Sequence, residues 1–196
     1  MFCLLLVFTN CASFYDLIDP ISINYVSVKE ADSVEFAYKY NVLDKKYEKQ
    51  ESKKATKLIA VRVTNKSGQD LVFGKDIKLV YENDQEIYIM DNKMVFNTLK
   101  QPTIPYLWYL LLSFLTFNTT ESTNNGTETS STPVGLVIGP GLAGGNMGVA
   151  YSSNEKFNRE LIQFKIYGST IMNGETKYGL IGIQTDSYAP LKLKVN

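Results

Sequence analysis

Three short groupings have residue types and spacings that could support chemistry. Cys11 follows the apolar run 1–8 (MFCLLLVF) and the pair Thr9-Asn10, the order of a hydrophobic signal core and then a cleavage region. Ser153 stands three residues before Lys156. On a helix, that separation lets a lysine amine take the proton of a serine nucleophile. Gly139, Gly141 and Gly144 fall in the order G-x-G-x-x-G behind Leu136-Val137-Ile138. Such a loop, placed after a strand, brings backbone N–H groups close to a pyrophosphate.

The surroundings weigh against the last two. No S-D-N or K-T-G partner accompanies Ser153 and Lys156, and Ser153 or Asn154 more economically caps a short helix over residues 155–164. The glycine motif is followed by a polar stretch, 152–154, that makes a poor crossover helix, and no further βαβ repeat appears. Its glycines fit close helix packing better, because Gly135/Gly139, Gly141/Gly145 and Gly144/Gly148 each stand four apart. Histidine is absent, which removes the commonest general base and metal ligand. The two cysteines, Cys3 and Cys11, lie in the first dozen residues, and no carboxylates form a calcium loop. The expectation is a protein without catalytic residues, metal or cofactor. Lysine plus arginine balances aspartate plus glutamate at 20 each, so nothing draws the chain as a whole onto nucleic acid.

The N-terminus resembles a bacterial lipoprotein signal of the Gram-negative type, in which a cysteine after a leucine-rich core is lipidated and becomes the mature N-terminus. Cys11 would be that residue. Asn10 is larger than the residue usual before such a cysteine, and no lysine or arginine precedes Lys29. Ala12 is not the aspartate that retains such proteins on the inner membrane, so the resemblance implies a cell-envelope protein on the outer membrane. The expected organisation is a signal peptide over 1–10, whose missing basic region points to a truncated start, and a lipidated tether over 11–20.

The rest must be built from elements that position these residues. Residues 21–28 and 34–42 alternate apolar and polar side chains as half-buried strands do. The almost wholly polar stretch 44–57 reads as a solvated loop or short exposed helix. Residues 58–65 (LIAVRVTN) form the clearest strand, and 77–81 with 86–90 read as a hairpin about residues 82–85. Three further strands are expected at 161–167, 178–184 and 191–195. The segment 61–68 (VRVTNKSG), with Asn173-Gly174-Glu175-Thr176 and Gly179-Leu180-Ile181, resembles immunoglobulin-like sandwich domains of secreted bacterial lipoproteins. The resemblance implies a mainly β fold, an immunoglobulin-like antiparallel β-sandwich, with residues 21–100 as its first part and 151–196 as a short helix and its remaining strands.

Residues 101–150 interrupt that plan. The run 104–117 (IPYLWYLLLSFLTF) is apolar, 118–133 has no large apolar residue, and 134–150 is apolar and glycine-dense. As helices the two apolar runs would reach ~21 Å and ~26 Å, short of the ~30 Å hydrocarbon thickness. The expectation is a helical hairpin insertion with a polar tip at 118–133. It would either contact the membrane through Tyr106, Trp108, Tyr109, Leu110, Leu111, Leu112 and Phe114, or pack on the sandwich. The tip carries the sequons 118–120 and 125–127. The function expected is a membrane-anchored envelope lipoprotein with a structural or interaction role, held by its N-terminal lipid and with another envelope protein as its expected partner. The alternative is a module binding a small ligand, lipid or glycan.

Overall fold

A computed structural model describes residues 11–123 and 126–195. The expected signal segment 1–10 and the second sequon's Asn125 lie outside the described residues. Among those described, the chain forms eleven strands, three α-helices and a 3-10 helix: β1 Ser27–Ala31, β2 Val34–Lys39, α1 Lys45–Lys54, β3 Thr56–Asn65, β4 Leu71–Val72, β5 Ile77–Tyr81, β6 Ile89–Met90, α2 Asn92–Leu99, the 3-10 helix Ile104–Phe114, β7 Phe117–Thr123, β8 Gly126–Thr132, α3 Gly135–Gln163, β9 Thr170–Ile171, β10 Thr176–Gln184 and β11 Leu191–Val195. The elements divide into two compact units, one of residues 11–14 with Gln101–Ser153, the other of Tyr15–Lys100 with residues 154–195.

The larger unit is built on a five-stranded antiparallel sheet of order β1-β2-β3-β10-β6. The β3–β10 register sets Ile59 opposite Ile181 and Leu58 opposite Gly182. Successive side chains of a strand point to opposite faces, so each central strand serves two cores. Ile59, Val61 and Val63 join Phe36, Ile181 and Ile183 in a core shared with Leu71, Ile171, Ile77, Leu79, Leu191 and Leu193 from the small sheets β4–β9 and β5–β11. Leu58, Ala60 and Leu180 face the other way, into a core with Tyr47 of α1, Val95 and Leu99 of α2, and Phe157 and Leu161 of α3. Gly182 permits that second contact, since a Cβ there would lie 2.2 Å from Val95 Cγ2.

The antiparallel sheets agree with a β-rich body, but helix (32%) nearly matches strand (34%), so the fold is mixed rather than mainly β. The helices cover the sheet face that an alternating pattern assigns to solvent. Several elements differ from expectation for physical reasons. The first strand occupies Ser27–Ala31 rather than 21–28, because Asp32 and Ser33, both at positive φ, turn the chain directly into β2. β6 leaves β5 and pairs with β10, so residues 77–90 make a tight turn but not a full hairpin. Residues 161–163 continue α3 instead of beginning a strand. The polar stretch 44–57 does form a helix, α1, but this helix buries Tyr47 and Glu51 one turn apart.

The smaller unit holds the interruption. Its two apolar runs are joined by an antiparallel ribbon, β7–β8, running from Phe117↔Thr132 to Thr123↔Gly126. The polar tip is thus a β-ribbon of serine and threonine, whose β-branched threonines suit a strand. The first apolar run is a 3-10 helix, and α3 begins at Gly135. No helix among the described residues is long and apolar enough to cross a membrane.

Candidate functional site

In the smaller unit the chain past Cys11 is fastened at once. Ala12 N–H donates to Asn146 Oδ1 at 2.6 Å, and Asn146 Nδ2 donates in turn to the Leu142 carbonyl at 2.8 Å. Gln101, buried, accepts from Ser13 N–H at 3.0 Å and donates to the Ser13 carbonyl at 2.6 Å, so one amide closes on both backbone groups of one residue. Ala12 also packs against a small core of Tyr106, Tyr109, Ala143 and Ala150. Residues 11–20 are therefore no free tether: Ala12 and Ser13 are held here, and Tyr15 and Ile18 are buried in the larger unit. Cys11 itself is exposed with a free thiol. Burial, and then the Cys11 thiol beside it, push the Tyr109 hydroxyl above the usual tyrosine range.

The 3-10 helix decides which apolar side chains are covered. With three residues per turn, positions i and i+3 eclipse, so Tyr106, Tyr109 and Leu112 form one inward column, with the two tyrosine rings nearly parallel at 6.5 Å. The other two columns carry exposed apolar side chains: Ile104, Leu107 and Leu110 in one, which ends at the half-buried Ser113, and Trp108, Leu111 and Phe114 in the other. Trp108 is 71% exposed and Phe114 83%. Of the residues expected to contact a membrane, Trp108, Leu110, Leu111 and Phe114 are thus exposed, Leu112 is half-buried, and Tyr106 and Tyr109 are inside. Leu136 and Val137, in the first turn of α3, are exposed as well.

The glycines of α3 fall into two sets. A Cβ on Gly135 would sit 2.2 Å from the Leu112 carbonyl oxygen, and one on Gly139 would sit 2.4 Å from Ser113 Oγ, so these two let α3 lie against the 3-10 helix. Around Gly141, Gly144, Gly145 and Gly148 a Cβ would meet nothing within 4 Å, so close packing does not account for them. The G-x-G-x-x-G sequence lies wholly inside α3, where Leu136–Ile138 is helical and no loop follows a strand. It therefore offers no phosphate cradle of the kind its spacing describes. Ser153 is 2% exposed inside the same helix while Lys156 is exposed, and the helix expected to begin near Ser153 is already under way. Among the described residues no group of three or more His, Cys, Asp or Glu could hold a metal ion.

The larger unit contains two buried carboxylates that sequence reasoning missed. Glu160 on α3 accepts from the Tyr15 hydroxyl, and burial pushes its carboxyl above the usual range. Tyr15, Tyr47 and Phe157 pack on one another with ring centres 4.9–5.3 Å apart, Tyr47 meeting each of the other two edge to face, and Tyr47 Oη donates to Asn154 Oδ1 at 3.0 Å. Glu51 on α1 accepts from Leu58 N–H at 2.7 Å. This carboxylate stands in for a strand: the β2–β3 ladder stops at Lys39↔Ala60, and Asn41, at φ 54°, turns the chain away before it can reach Leu58. Glu51 Oε2 is buried without a hydrogen-bond partner, and burial pushes the group up to about 7. The available signal was Tyr47, the lone aromatic in a polar segment, with Glu51 four residues on and so on the same helical face.

No protein-family model, curated protein or solved structure matches the chain. Its function must be argued from its own residues.

Proposed function

We propose that the protein is a membrane-anchored lipoprotein of the cell envelope, attached through Cys11 on the outer membrane, with a structural or protein-interaction role and no catalysis. The observation that supports this most is the fastening of Ala12 and Ser13. Consecutive Cα atoms are ~3.8 Å apart, so a lipid on Cys11 would begin within one residue of a fixed, largely apolar unit. The exposed Cys11 thiol leaves room for modification. In this reading the antiparallel body, a five-stranded sheet facing two small sheets across an apolar core, is a sandwich of immunoglobulin-like type that presents loops to an envelope partner.

The test is metabolic labelling with an alkyne-bearing fatty acid, followed by mass measurement of the mature N-terminus. The expected result is label on the native chain, none on Cys11→Ala, and an acylated Cys11 as the first residue. An unlabelled mature chain beginning elsewhere overturns the anchor. A second reading, a site for an anionic ligand, draws on an open cleft of about 480 Å³ in the larger unit lined by Leu17, Ile18, Asp19, Lys156, Arg159 and Glu160. Its carboxylates are engaged internally, Asp19 by Ile21 N–H and Glu160 by Tyr15, which leaves Lys156 and Arg159 to meet a ligand.

A further inference from the structure

From the apolar columns of the 3-10 helix we infer a second membrane contact: the face formed by Leu107, Trp108, Leu110, Leu111 and Phe114, with Leu136 and Val137 of α3, lies in the plane of a bilayer surface with its side chains in the lipid. The inference rests on the anchored reading for the choice of a bilayer as occupant, but it does not need the lipid on Cys11.

Three observations select lipid over other cover. No aspartate, glutamate, lysine or arginine occurs between Lys100 and Glu121, or between Glu128 and Glu155. A protein partner is ordinarily met by a patch with a polar or charged rim, and this face has no charge from its own segments to provide one. Second, neither helical segment qualifies as a membrane span. A helix too short to span, with apolar side chains outward on two of its three columns, is suited to the boundary between headgroups and acyl chains. Third, Cys11 belongs to the same unit, so a lipid there would be tethered to the part of the chain that carries the apolar face. Because the face carries no charge, its affinity should depend on buried apolar area and hardly at all on salt or anionic lipid.

The chain contains one tryptophan, and it lies on this face. Trp108 fluorescence is therefore a local probe that residues 1–10 cannot imitate. The experiment uses full-length Cys11→Ser protein with neutral phosphatidylcholine vesicles, with and without bromine-labelled acyl chains, at low and high salt. The expected result is a blue shift of Trp108 emission on adding vesicles, quenching by the brominated chains, and no salt dependence. Leu111→Asp with Phe114→Asp should lower the partition coefficient by ~10-fold or more. Both positions are exposed, and circular dichroism checks that the variant folds; if it does not, the quenching of the Cys11→Ser protein decides alone. Vesicle flotation without Trp108 quenching overturns the inference, as does absence of binding. A concentration-dependent blue shift without vesicles also overturns it, because a second copy then covers the face. Lipidation of Cys11 is read separately from the mass of the native N-terminus, so either idea can fail without the other.

Discussion

Neutralising Glu51 should stabilise the larger unit above neutral pH and leave it nearly unchanged below. The carboxylate is 1% exposed, one oxygen accepts from Leu58 N–H, and the other has no hydrogen-bond partner. Lys57 on β3 and the Leu58 N–H favour the ionised form, while burial and Glu48 on the same helix oppose it, and burial prevails. The folded value of about 7 lies above the ordinary 4.5, so ionisation costs the native state more than the unfolded chain. Stability from this group is full below pH ~4.5, declines as pH rises, and is lost above pH ~7. A separation of ~2.5 pH units corresponds to about 3 kcal/mol. Glu51→Gln keeps the acceptor for Leu58 but places an unpaired amide where Oε2 was, at a cost of about 1 kcal/mol. The net gain at pH 8 should be about 2 kcal/mol, or ~4–8 °C in Tm for a protein of this size. The assay is thermal and urea unfolding of both proteins at pH 5 and pH 8. Glu160, also pushed up by burial, adds a slope of the same sign, so the difference between the two proteins isolates Glu51. A difference that is independent of pH would refute the reasoning.

Glycines of opposite surroundings should respond oppositely. Gly182→Ala forces a methyl group into Val95 and should cost about 1–3 kcal/mol, whereas Gly144→Ala meets nothing within 4 Å and should stabilise α3 by up to ~1 kcal/mol; parallel denaturant titrations compare them. Gln101→Ala removes both hydrogen bonds to Ser13, so amide exchange at Ala12 and Ser13 should accelerate while that of β3 stays unchanged. Unchanged exchange at Ser13 would show that Gln101 is not what holds the segment.

The parts of this fold that could be read from the sequence are those whose side chains obey one period and one solvent boundary. β3 is such a case: Ile59, Val61 and Val63 alternate with Leu58, Ala60 and Arg62, and the strand covers the expected 58–65 and begins two residues earlier, at Thr56. The alternation does not reveal that Leu58 and Ala60 are covered too, because a small or apolar residue fits either water or a helix. The 3-10 helix was hidden for the opposite reason: with large apolar side chains in every column, no period stands out, and only backbone geometry selects Tyr106, Tyr109 and Leu112 as the inner set. In α3 the composition changes near residue 150, from glycine-rich and apolar to polar, and sequence reasoning divides there what the backbone makes one helix from Gly135 to Gln163. Within it Pro140 and the exposed glycines run against local propensity. Cys11 could be singled out by type and position, but its surroundings could not. They depend on Gln101 and Asn146, roughly 90 and 135 residues away along the chain.

The ribbon β7–β8 has a practical consequence. Its described side chains are exposed and Glu121 sits opposite Glu128; beyond the backbone ladder the strands are joined across the ribbon by side-chain hydrogen bonds, Ser131 Oγ donating to Asn118 Oδ1 at 2.5 Å and the Thr120 and Thr129 hydroxyls meeting at 3.4 Å. Nothing in either core depends on its length. The ribbon is therefore a natural port for foreign sequence: a short epitope spliced between β7 and β8 should leave the fold intact, and antibody binding to whole against permeabilised cells would then report whether the protein is displayed on the cell surface.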